Sequence, residues 1–192
     1  MLSELQTADA SGELATTIQT MPAPHKLTRV TLERFTSFES ATLDLGELNV
    51  LIGPNGAGKS NFLAFFDMIG SLIEQRLGVW VGEQGGADRV LFGGVKRSSD
   101  LRFRLEFAGG KQGYEASLSP GVAGQVFFGY EQAWGTGIGQ PRPFNVGLGS
   151  GHSESLLPNE VQHHPGGVVS WTLDCLGGWV RYHFHDTSRT AG

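Results

Sequence analysis

The most informative residues of this 192-residue chain form a glycine-rich segment that ends in lysine and serine. Residues 53–60 read Gly-Pro-Asn-Gly-Ala-Gly-Lys-Ser, a complete G-x-x-x-x-G-K-S phosphate-binding loop, or Walker A motif. In such a loop, glycines let backbone N–H groups wrap phosphate oxygens, which a Cβ would obstruct. Lys59 would place its ammonium group on the β- and γ-phosphates, and the Ser60 hydroxyl would ligate Mg²⁺. The segment therefore predicts binding of a nucleoside triphosphate with Mg²⁺.

The residues on either side of the loop are of the types that its chemistry requires. Residues 48–52 are an apolar run that predicts a buried strand, and apolar residues recur at helical spacing over residues 61–77. A strand, a glycine-rich loop and a helix N-terminus together direct N–H groups and the helix dipole at a polyphosphate. The alternative interpretation is a glycine-rich turn that binds nothing. The flanking strand and helix argue against that alternative.

Composition limits the class of protein. The formal net charge of −5 argues against a protein that is basic throughout and coats nucleic acid. The single cysteine, Cys175, excludes an internal disulfide framework, agrees with a reducing compartment and is interpreted as a small buried hydrophobe. No apolar run approaches the ~20 residues of a membrane span, and the N-terminus does not resemble a signal peptide. We therefore expect a cytoplasmic protein with no membrane partner.

The chain divides into a tail and one domain. Residues 1–25 are polar, rich in Thr, Ser and Ala, and lack a strong apolar period, which predicts a mobile tail. Residues 26–192 are predicted to form a single P-loop lobe. Within that lobe, the glycine-rich segment 132–153, which also contains prolines, predicts a flexible loop. The glycine-rich segment 78–94 predicts an irregular connection.

Several segments alternate between apolar and polar residues, which predicts half-buried strands. Residues 101–107 alternate most strictly, and Gly109-Gly110 predicts a hairpin turn to a partner strand at residues 114–118. Further strands are predicted at residues 27–35, 41–45, 125–130, 168–171 and 180–184. Two antiparallel strands before the phosphate-binding strand differ from the plain β-α-β order of many small nucleotide kinases.

These motifs, in this order, resemble the N-terminal half of SMC/RecF-type ATPases, an ABC-type group of AAA-family predicted ATPases. The resemblance rests on residues 32–38, Leu-Glu-Arg-Phe-Thr-Ser-Phe, and on residues 51–61, which include the loop. Residues 182–188 also look like a stretch found in bacterial members of this group. The resemblance implies that the nucleotide is ATP with Mg²⁺ and that the contacts come from Gly53, Pro54, Asn55, Gly56, Ala57, Gly58, Lys59, Ser60 and Asn61.

The resemblance also implies a fold and partners. The fold would be α/β, lobe I of an ABC-type head, in which a parallel core strand and a helix carry the P-loop beside an antiparallel β-subdomain. Such heads dimerise with ATP between two copies and couple hydrolysis to movement on DNA, in repair, maintenance or defence. The implied partners are a C-terminal ATPase lobe, a second copy of the chain, and DNA. Gln84 lies where a Mg²⁺-sensing glutamine could fall, and the alternative is an exposed loop glutamine.

Two segments that the family uses for hydrolysis are missing from these 192 residues, so the resemblance is to an ATPase truncated before them. One is a Ser-Gly-Gly type signature, and the other is an apolar Walker B strand that ends in Asp-Glu. The nearest Walker B candidate, residues 168–175, is interrupted by polar residues and has no following Glu. The family also often has a basic residue at the position of Thr36.

Hydrolysis needs a positioned water, a carboxylate and a charge clamp as well as a phosphate cradle. We therefore expect a chain that binds ATP and depends on other residues to complete hydrolysis. The alternative is a non-hydrolysing nucleotide-binding or assembly module, a truncated remnant whose nucleotide site mainly stabilises the fold.

Two further clusters contain residue types that bind ligands elsewhere. A group of imidazoles and a carboxylate offers metal ligands without a defined third ligand, so a solvated strand is the favoured interpretation; it comprises His163, His164, His183, His185 and Asp186. A group of cations could face DNA phosphates or form the polar face of a hairpin, and it comprises Arg89, Lys96, Arg97, Arg102 and Arg104.

Overall fold

The computed structural model describes residues 26–136, 144–163 and 166–179. The predicted tail, the predicted strand at 180–184 and the stretch 182–188 lie outside these ranges, as do His164, His183, His185 and Asp186. The elements are β1 (Leu27–Phe35), β2 (Phe38–Asp44), α1 (Lys59–Ile73), α2 (Leu77–Glu83), α3 (Ala87–Val90), β3 (Leu101–Phe107), β4 (Gln112–Pro120), β5 (Val126–Gly135), β6 (Phe144–Gly149), α4 (Leu157–Glu160) and α5 (Val168–Gly177).

The strands form one six-stranded sheet in the order β2-β1-β3-β4-β5-β6. Every neighbouring pair in this sheet is antiparallel. The strand predictions at 27–35 and 101–107 are confirmed, and so is the hairpin at Gly109-Gly110, which joins β3 to β4. No parallel pair of strands occurs in the described ranges, so the predicted parallel core strand is not formed there.

Helix α1 covers one face of this sheet. Its apolar residues Phe62, Phe65, Met68, Ile69 and Leu72 are buried, as the helical spacing predicts. The Phe65 ring lies edge-on to two sheet rings, 5.7 Å from Phe35 of β1 and 5.6 Å from Phe103 of β3 between centroids. Burial of aromatic rings of this size contributes about 2–3 kcal/mol each, and edge-on pairing adds to that. The N-terminus of α1 is thereby fixed relative to β1.

Three segments differ from their sequence-based predictions. The segment 78–94, predicted to be irregular, contains most of α2 and all of α3. The segment 132–153, predicted to be a flexible loop, contains the end of β5 and all of β6, whose pairing is antiparallel. Glycine does not exclude a strand when the partner's backbone supplies the hydrogen bonds. The described parts of both segments are ordered because long-range packing outweighs local glycine content.

The third difference concerns the C-terminal part. Residues 168–171 were predicted as a strand, but they begin helix α5. Its buried residues recur at i, i+1, i+4, i+7 and i+8, which is a helical period: Val168, Val169, Thr172, Cys175 and Leu176. The interpretation of Cys175 as a buried side chain is confirmed, and burial raises the pKa of its thiol to about 12. The thiol is therefore neutral at ordinary pH.

A buried carboxylate connects the far end of the sheet to the segment that follows it. Glu131 of β5 is 1% exposed, and its Oε1 accepts a hydrogen bond from the Tyr114 hydroxyl at 2.6 Å and another from the Ser155 hydroxyl. Its Oε2 accepts from the Leu156 N–H at 2.9 Å and lies 2.8 Å from His152 Nε2. Burial, together with the Glu131 charge, raises the pKa of Tyr114, so this phenol stays a donor. Four partners thus satisfy one buried acid.

The same segment also holds the C-terminal end of α1. Glu154 accepts hydrogen bonds from the N–H groups of Leu77 and Gly78, at 2.7 and 2.9 Å, and so caps the start of α2. The Gln75 amide donates to the carbonyl of Ser155. A carboxylate at a helix N-terminus satisfies orphan N–H groups and complements the helix dipole. The corner between α1 and α2 is therefore tied to the sheet through residues 154–155.

Glu131→Ala is expected to lower the free energy of unfolding by about 3–5 kcal/mol, because the buried hydroxyls of Tyr114 and Ser155 and the partly buried N–H of Leu156 lose their acceptor at once. Urea unfolding followed by circular dichroism measures the change. The matched control is Glu83→Ala, which removes an exposed carboxylate at the end of α2 and should change stability by less than about 0.5 kcal/mol. Equal effects of the two substitutions would contradict the role given to Glu131.

Candidate functional site

The P-loop segment leads directly into helix α1. Gly58 is the N-cap residue, with φ 90°, and Gly56 has φ 83°. Both values lie in the left-handed region, where glycine is favoured. The first turn of α1 contains no acidic residue, and no side chain caps its N–H groups. The positive end of a 15-residue helix is therefore left for a ligand of negative charge.

Lys59 spans the loop from the helix back to its start. Its Nζ donates to the carbonyl oxygens of Gly53 and Pro54, at 2.6 and 2.7 Å. The Ala57 N–H donates to the Pro54 carbonyl at 3.2 Å, which closes the turn within the loop. The ammonium group thus lies inside the curve of the loop, where it can meet a phosphate oxygen in place of the carbonyls.

The nine residues predicted to bind nucleotide form one continuous surface of loop and first helical turn. Residues 53–57 and Ser60 are exposed, while Gly58, Lys59 and Asn61 are partly buried. The exposed Ser60 hydroxyl is the side-chain oxygen that the motif assigns to Mg²⁺. The geometry is compatible with the predicted contacts, and these contacts remain predictions.

The turn between β1 and β2 lies against the loop, which the motif alone did not reveal. The Asn61 amide donates to the Ser37 hydroxyl at 2.8 Å. A Cβ built on Gly58 would lie 3.2 Å from the Phe38 ring and 3.2 Å from Ser37 Oγ. The site therefore includes Ser37 and Phe38, which belong to the Phe-Thr-Ser-Phe sequence after β1. No local pattern in the sequence indicates this contact, because Ser37 and Asn61 are 24 residues apart.

Hydrogen bonds to α3 and to the loop before β3 hold this turn in place. Thr36 adopts φ 47° and its N–H donates to the Val90 carbonyl at 2.8 Å. The Arg34 guanidinium donates to Asp100, at 2.9 Å to the carbonyl oxygen and 2.6 Å to the carboxylate. Burial opposes ionisation of Asp100, but the hydrogen bond from Arg102 and the charges of Arg34 and Arg102 outweigh it and lower its pKa. The turn is thus fixed to the loop that precedes β3.

The apolar segment 48–52 is not the buried strand that its composition predicted. It belongs to no strand, and among the described residues no other strand runs beside it. Leu48, Val50 and Ile52 are 85%, 71% and 89% exposed. Asn49 instead closes a turn with Gly46, through a 2.9 Å bond from the Gly46 N–H. A parallel strand needs neighbours along its edges, and the antiparallel sheet supplies none.

Two other sequence candidates lie in or at the end of helices. Gln84 is exposed at the C-cap of α2, and its contact with Mg²⁺ stays a prediction. The Walker B candidate, residues 168–175, lies in helix α5, whereas a Walker B carboxylate follows a strand. This segment is therefore not a Walker B strand, in agreement with its interrupted apolar pattern. His163 lies 3.4 Å from Glu160, and the described residues contain no group of three metal ligands.

Most of the cation cluster is already paired within the sheet and its flanking loop. Arg102 lies 2.7 Å from Asp100, and Arg97 lies 3.1 Å from Glu39. Arg104 bonds Glu106 and Glu115 and stacks on Trp134. Arg89 and Lys96 are exposed and have no ion pair in the part of the chain that is described. The polar-face interpretation therefore accounts for three of the five cations.

Gly58→Ala and Gly56→Ala form a matched pair that isolates the contact between the turn and the loop. Both place a Cβ on a residue with positive φ, which costs about 1 kcal/mol. Only Gly58→Ala brings that Cβ against Phe38 and Ser37, since nothing lies within 4 Å of the Cβ position at Gly56. We expect Gly58→Ala to lower the free energy of unfolding by at least about 1 kcal/mol more than Gly56→Ala, measured in urea. Equal losses would show that the turn does not press on Gly58.

One of three comparisons with known proteins found a match. Residues 48–136 match a family model described as AAA domain, putative AbiEii toxin, Type IV TA system. Neither the curated proteins nor the solved structures gave a match. Within the described residues, no helix is both long and apolar enough to cross a membrane. The match extends from the apolar segment 48–52 to the end of β5, and it supports an AAA-type P-loop NTPase region with a generic nucleotide-binding, ATPase-like function over these residues.

Proposed function

We propose that the chain binds Mg·ATP through residues 53–61 as the nucleotide-binding part of an SMC/RecF-type, ABC-like ATPase. The observation that carries this proposal is the uncapped N-terminus of α1, with Lys59 folded back over a loop of left-handed glycines. Each part supplies a donor or a positive charge, and no acidic side chain occupies the first turn. This donor set fits a polyphosphate.

The roles of the individual residues follow from their positions. Backbone N–H groups of the loop and of the first turn would donate to phosphate oxygens, and Lys59 would exchange its two carbonyl partners for the β- and γ-phosphates. Ser60 would hold Mg²⁺, which supplies charge neutralisation to the bound triphosphate. The cost of breaking the Lys59 bonds is small, because the phosphate offers charged acceptors in place of neutral carbonyls.

We further propose that the apolar segment 48–52 pairs with a strand of a second ATPase lobe, in the same polypeptide or in another. A short run that is apolar at nearly every position is typical of a strand buried on both faces in a parallel sheet. In this structure it is exposed beside the loop, and Leu63 of α1 is exposed as well. A lobe docked there would bring its own residues next to Ser60. That arrangement would supply the carboxylate that hydrolysis requires.

The alternative is a nucleotide-binding or assembly module that does not hydrolyse ATP. In that case ATP would bind and raise stability, and no partner would produce turnover. A role on DNA is proposed from the resemblance to SMC/RecF-type ATPases alone. Arg89 and Lys96 are the exposed cations that the sheet leaves for such a partner. A second copy of the chain is a further candidate to pair with segment 48–52.

Lys59→Ala is expected to weaken binding of a fluorescent ATP analogue with Mg²⁺ by about 100-fold, because the ammonium group is the one side-chain charge in the loop. Titration by fluorescence anisotropy measures the dissociation constant. Lys111→Ala, in the turn between β3 and β4, removes the same charge elsewhere and should leave the constant unchanged. Equal affinity of the wild type and Lys59→Ala would contradict the assigned site.

Val50→Asp is expected to abolish ATP turnover in a mixture of this chain with a neighbouring gene product that carries an apolar strand ending in Asp-Glu. The charge would be buried without a partner when the strands pair, which costs several kcal/mol. Val122→Asp is the matched control, because Val122 is 83% exposed in the turn between β4 and β5. Turnover is measured as phosphate release, with Lys59→Ala as the blank.

Three outcomes separate the occupants of the segment. Turnover that depends on Val50 and appears only in the mixture supports a second lobe. A dimer of the wild type in sedimentation that Val50→Asp dissociates identifies a second copy instead. Turnover that Val50→Asp leaves intact would contradict docking at this segment.

A further inference from the structure

We propose that Ser37 and Asn61 are positioning residues that hold the P-loop in its nucleotide-binding shape by tying it to the turn between β1 and β2. The proposal rests on the proposed function of the loop and deepens it. Their side chains are joined by a 2.8 Å hydrogen bond across 24 residues of sequence. Neither residue is buried, and neither belongs to the Walker A motif.

The loop needs such a support because its N-terminal side has none in this structure. The segment 48–52 that leads into it pairs with no strand, and residues 51–57 are all exposed. Within the loop, the hydrogen bonds of Lys59 and Ala57 join residues of the loop only to one another. They fix its curvature, but they do not fix its orientation relative to the sheet.

The turn, in contrast, is rigidly placed. Phe35 is fully buried beside Phe65, and the two residues that flank it, Arg34 and Thr36, both adopt left-handed backbone angles, φ 56° and 47°. Such angles are unfavourable for a β-branched residue and persist only where the surroundings enforce them. The bonds of Arg34 to Asp100 and of Thr36 to Val90 are the enforcing contacts. Ser37 is therefore presented at a fixed place.

Two contacts connect this fixed turn with the first turn of α1. Asn61 donates to Ser37, and the Phe38 ring lies against the α-carbon side of Gly58. Gly58 and Asn61 flank Lys59 and Ser60, the residues proposed to meet phosphate and Mg²⁺. Loss of the Ser37–Asn61 bond should therefore loosen the loop and leave the buried core intact, since both side chains lie at the surface.

The experiment is hydrogen–deuterium exchange of the full chain without nucleotide, combined with titration of a fluorescent ATP analogue with Mg²⁺. Ser37→Ala should raise the exchange rate of peptides covering residues 55–62 by about 5-fold and weaken affinity by a similar factor, as loss of one hydrogen bond implies. Peptides covering β3 should exchange as in the wild type. Ser37→Thr, which keeps the hydroxyl, should restore both values.

The controls test the pair rather than either residue. In hydrogen–deuterium exchange without nucleotide, Asn61→Ala should reproduce Ser37→Ala, and the double variant should add nothing further, because both substitutions remove the same bond. Affinities are compared for the Ser37 variants alone, since Asn61 is itself a proposed nucleotide contact. Ser40→Ala removes an exposed hydroxyl from β2 and should change neither exchange nor affinity.

The outcomes separate this proposal from the proposed function. Exchange at residues 55–62 that is unchanged in Ser37→Ala, or effects that add in the double variant, would overturn the positioning role. If Ser37→Ala exchanges faster at residues 55–62 but the wild type binds no ATP analogue, the proposed function is refuted. The same result supports the role of the Ser37–Asn61 bond in holding the loop.

Discussion

The packing of Phe65 against Phe35 and Phe103 is the interaction on which the site depends. Phe65 belongs to α1, and Phe35 ends β1, so one aromatic cluster fixes both walls of the loop. The helix presents its uncapped N-terminus on one side, and the turn after Phe35 presents Ser37 and Phe38 on the other. A phosphate-binding loop is too short to orient itself, because its glycines favour no single conformation. The aromatic packing below supplies that orientation.

The buried Glu131 and the P-loop show opposite ways of treating polar groups. Glu131 has four partners within hydrogen-bond distance, so the hydrogen-bonding capacity of this buried carboxylate is satisfied. The first turn of α1 has N–H groups with no side-chain cap and no acidic neighbour. Buried polar groups are normally paired in native proteins, and unpaired donors occur where solvent or a ligand can reach them. The contrast separates a part of the molecule that maintains the fold from a part that is open to a ligand.

The sequence predicted most of what depends on local pattern. The sequence predicted β3, its hairpin to β4 and helix α1. Strand β3 and helix α1 each bury one face, and the spacing of the apolar residues on that face is visible in the sequence. The prediction of a buried strand at 48–52 was wrong, because a parallel strand depends on neighbouring strands that local composition does not reveal. The strand prediction at 168–171 was wrong because Val168 and Val169 favour a strand by themselves. The helical period of α5 becomes visible only over a longer window that includes Thr172, Cys175 and Leu176. The contact of Ser37 with Asn61 could not be predicted, because it joins side chains 24 residues apart.

The continuity of the apolar segment 48–52 with the loop has a thermodynamic consequence. Residue 52 is followed directly by Gly53, whose carbonyl accepts one of the Lys59 hydrogen bonds. Any strand that pairs with this segment restricts the backbone at the start of the loop, and any ligand that displaces Lys59 acts on the same residue. Two binding events that act on one piece of backbone are linked, and linkage is reciprocal: the free energy by which one favours the other is the same in both directions. The proposed strand docking and the proposed phosphate binding would therefore be linked, each changing the affinity for the other by the same factor.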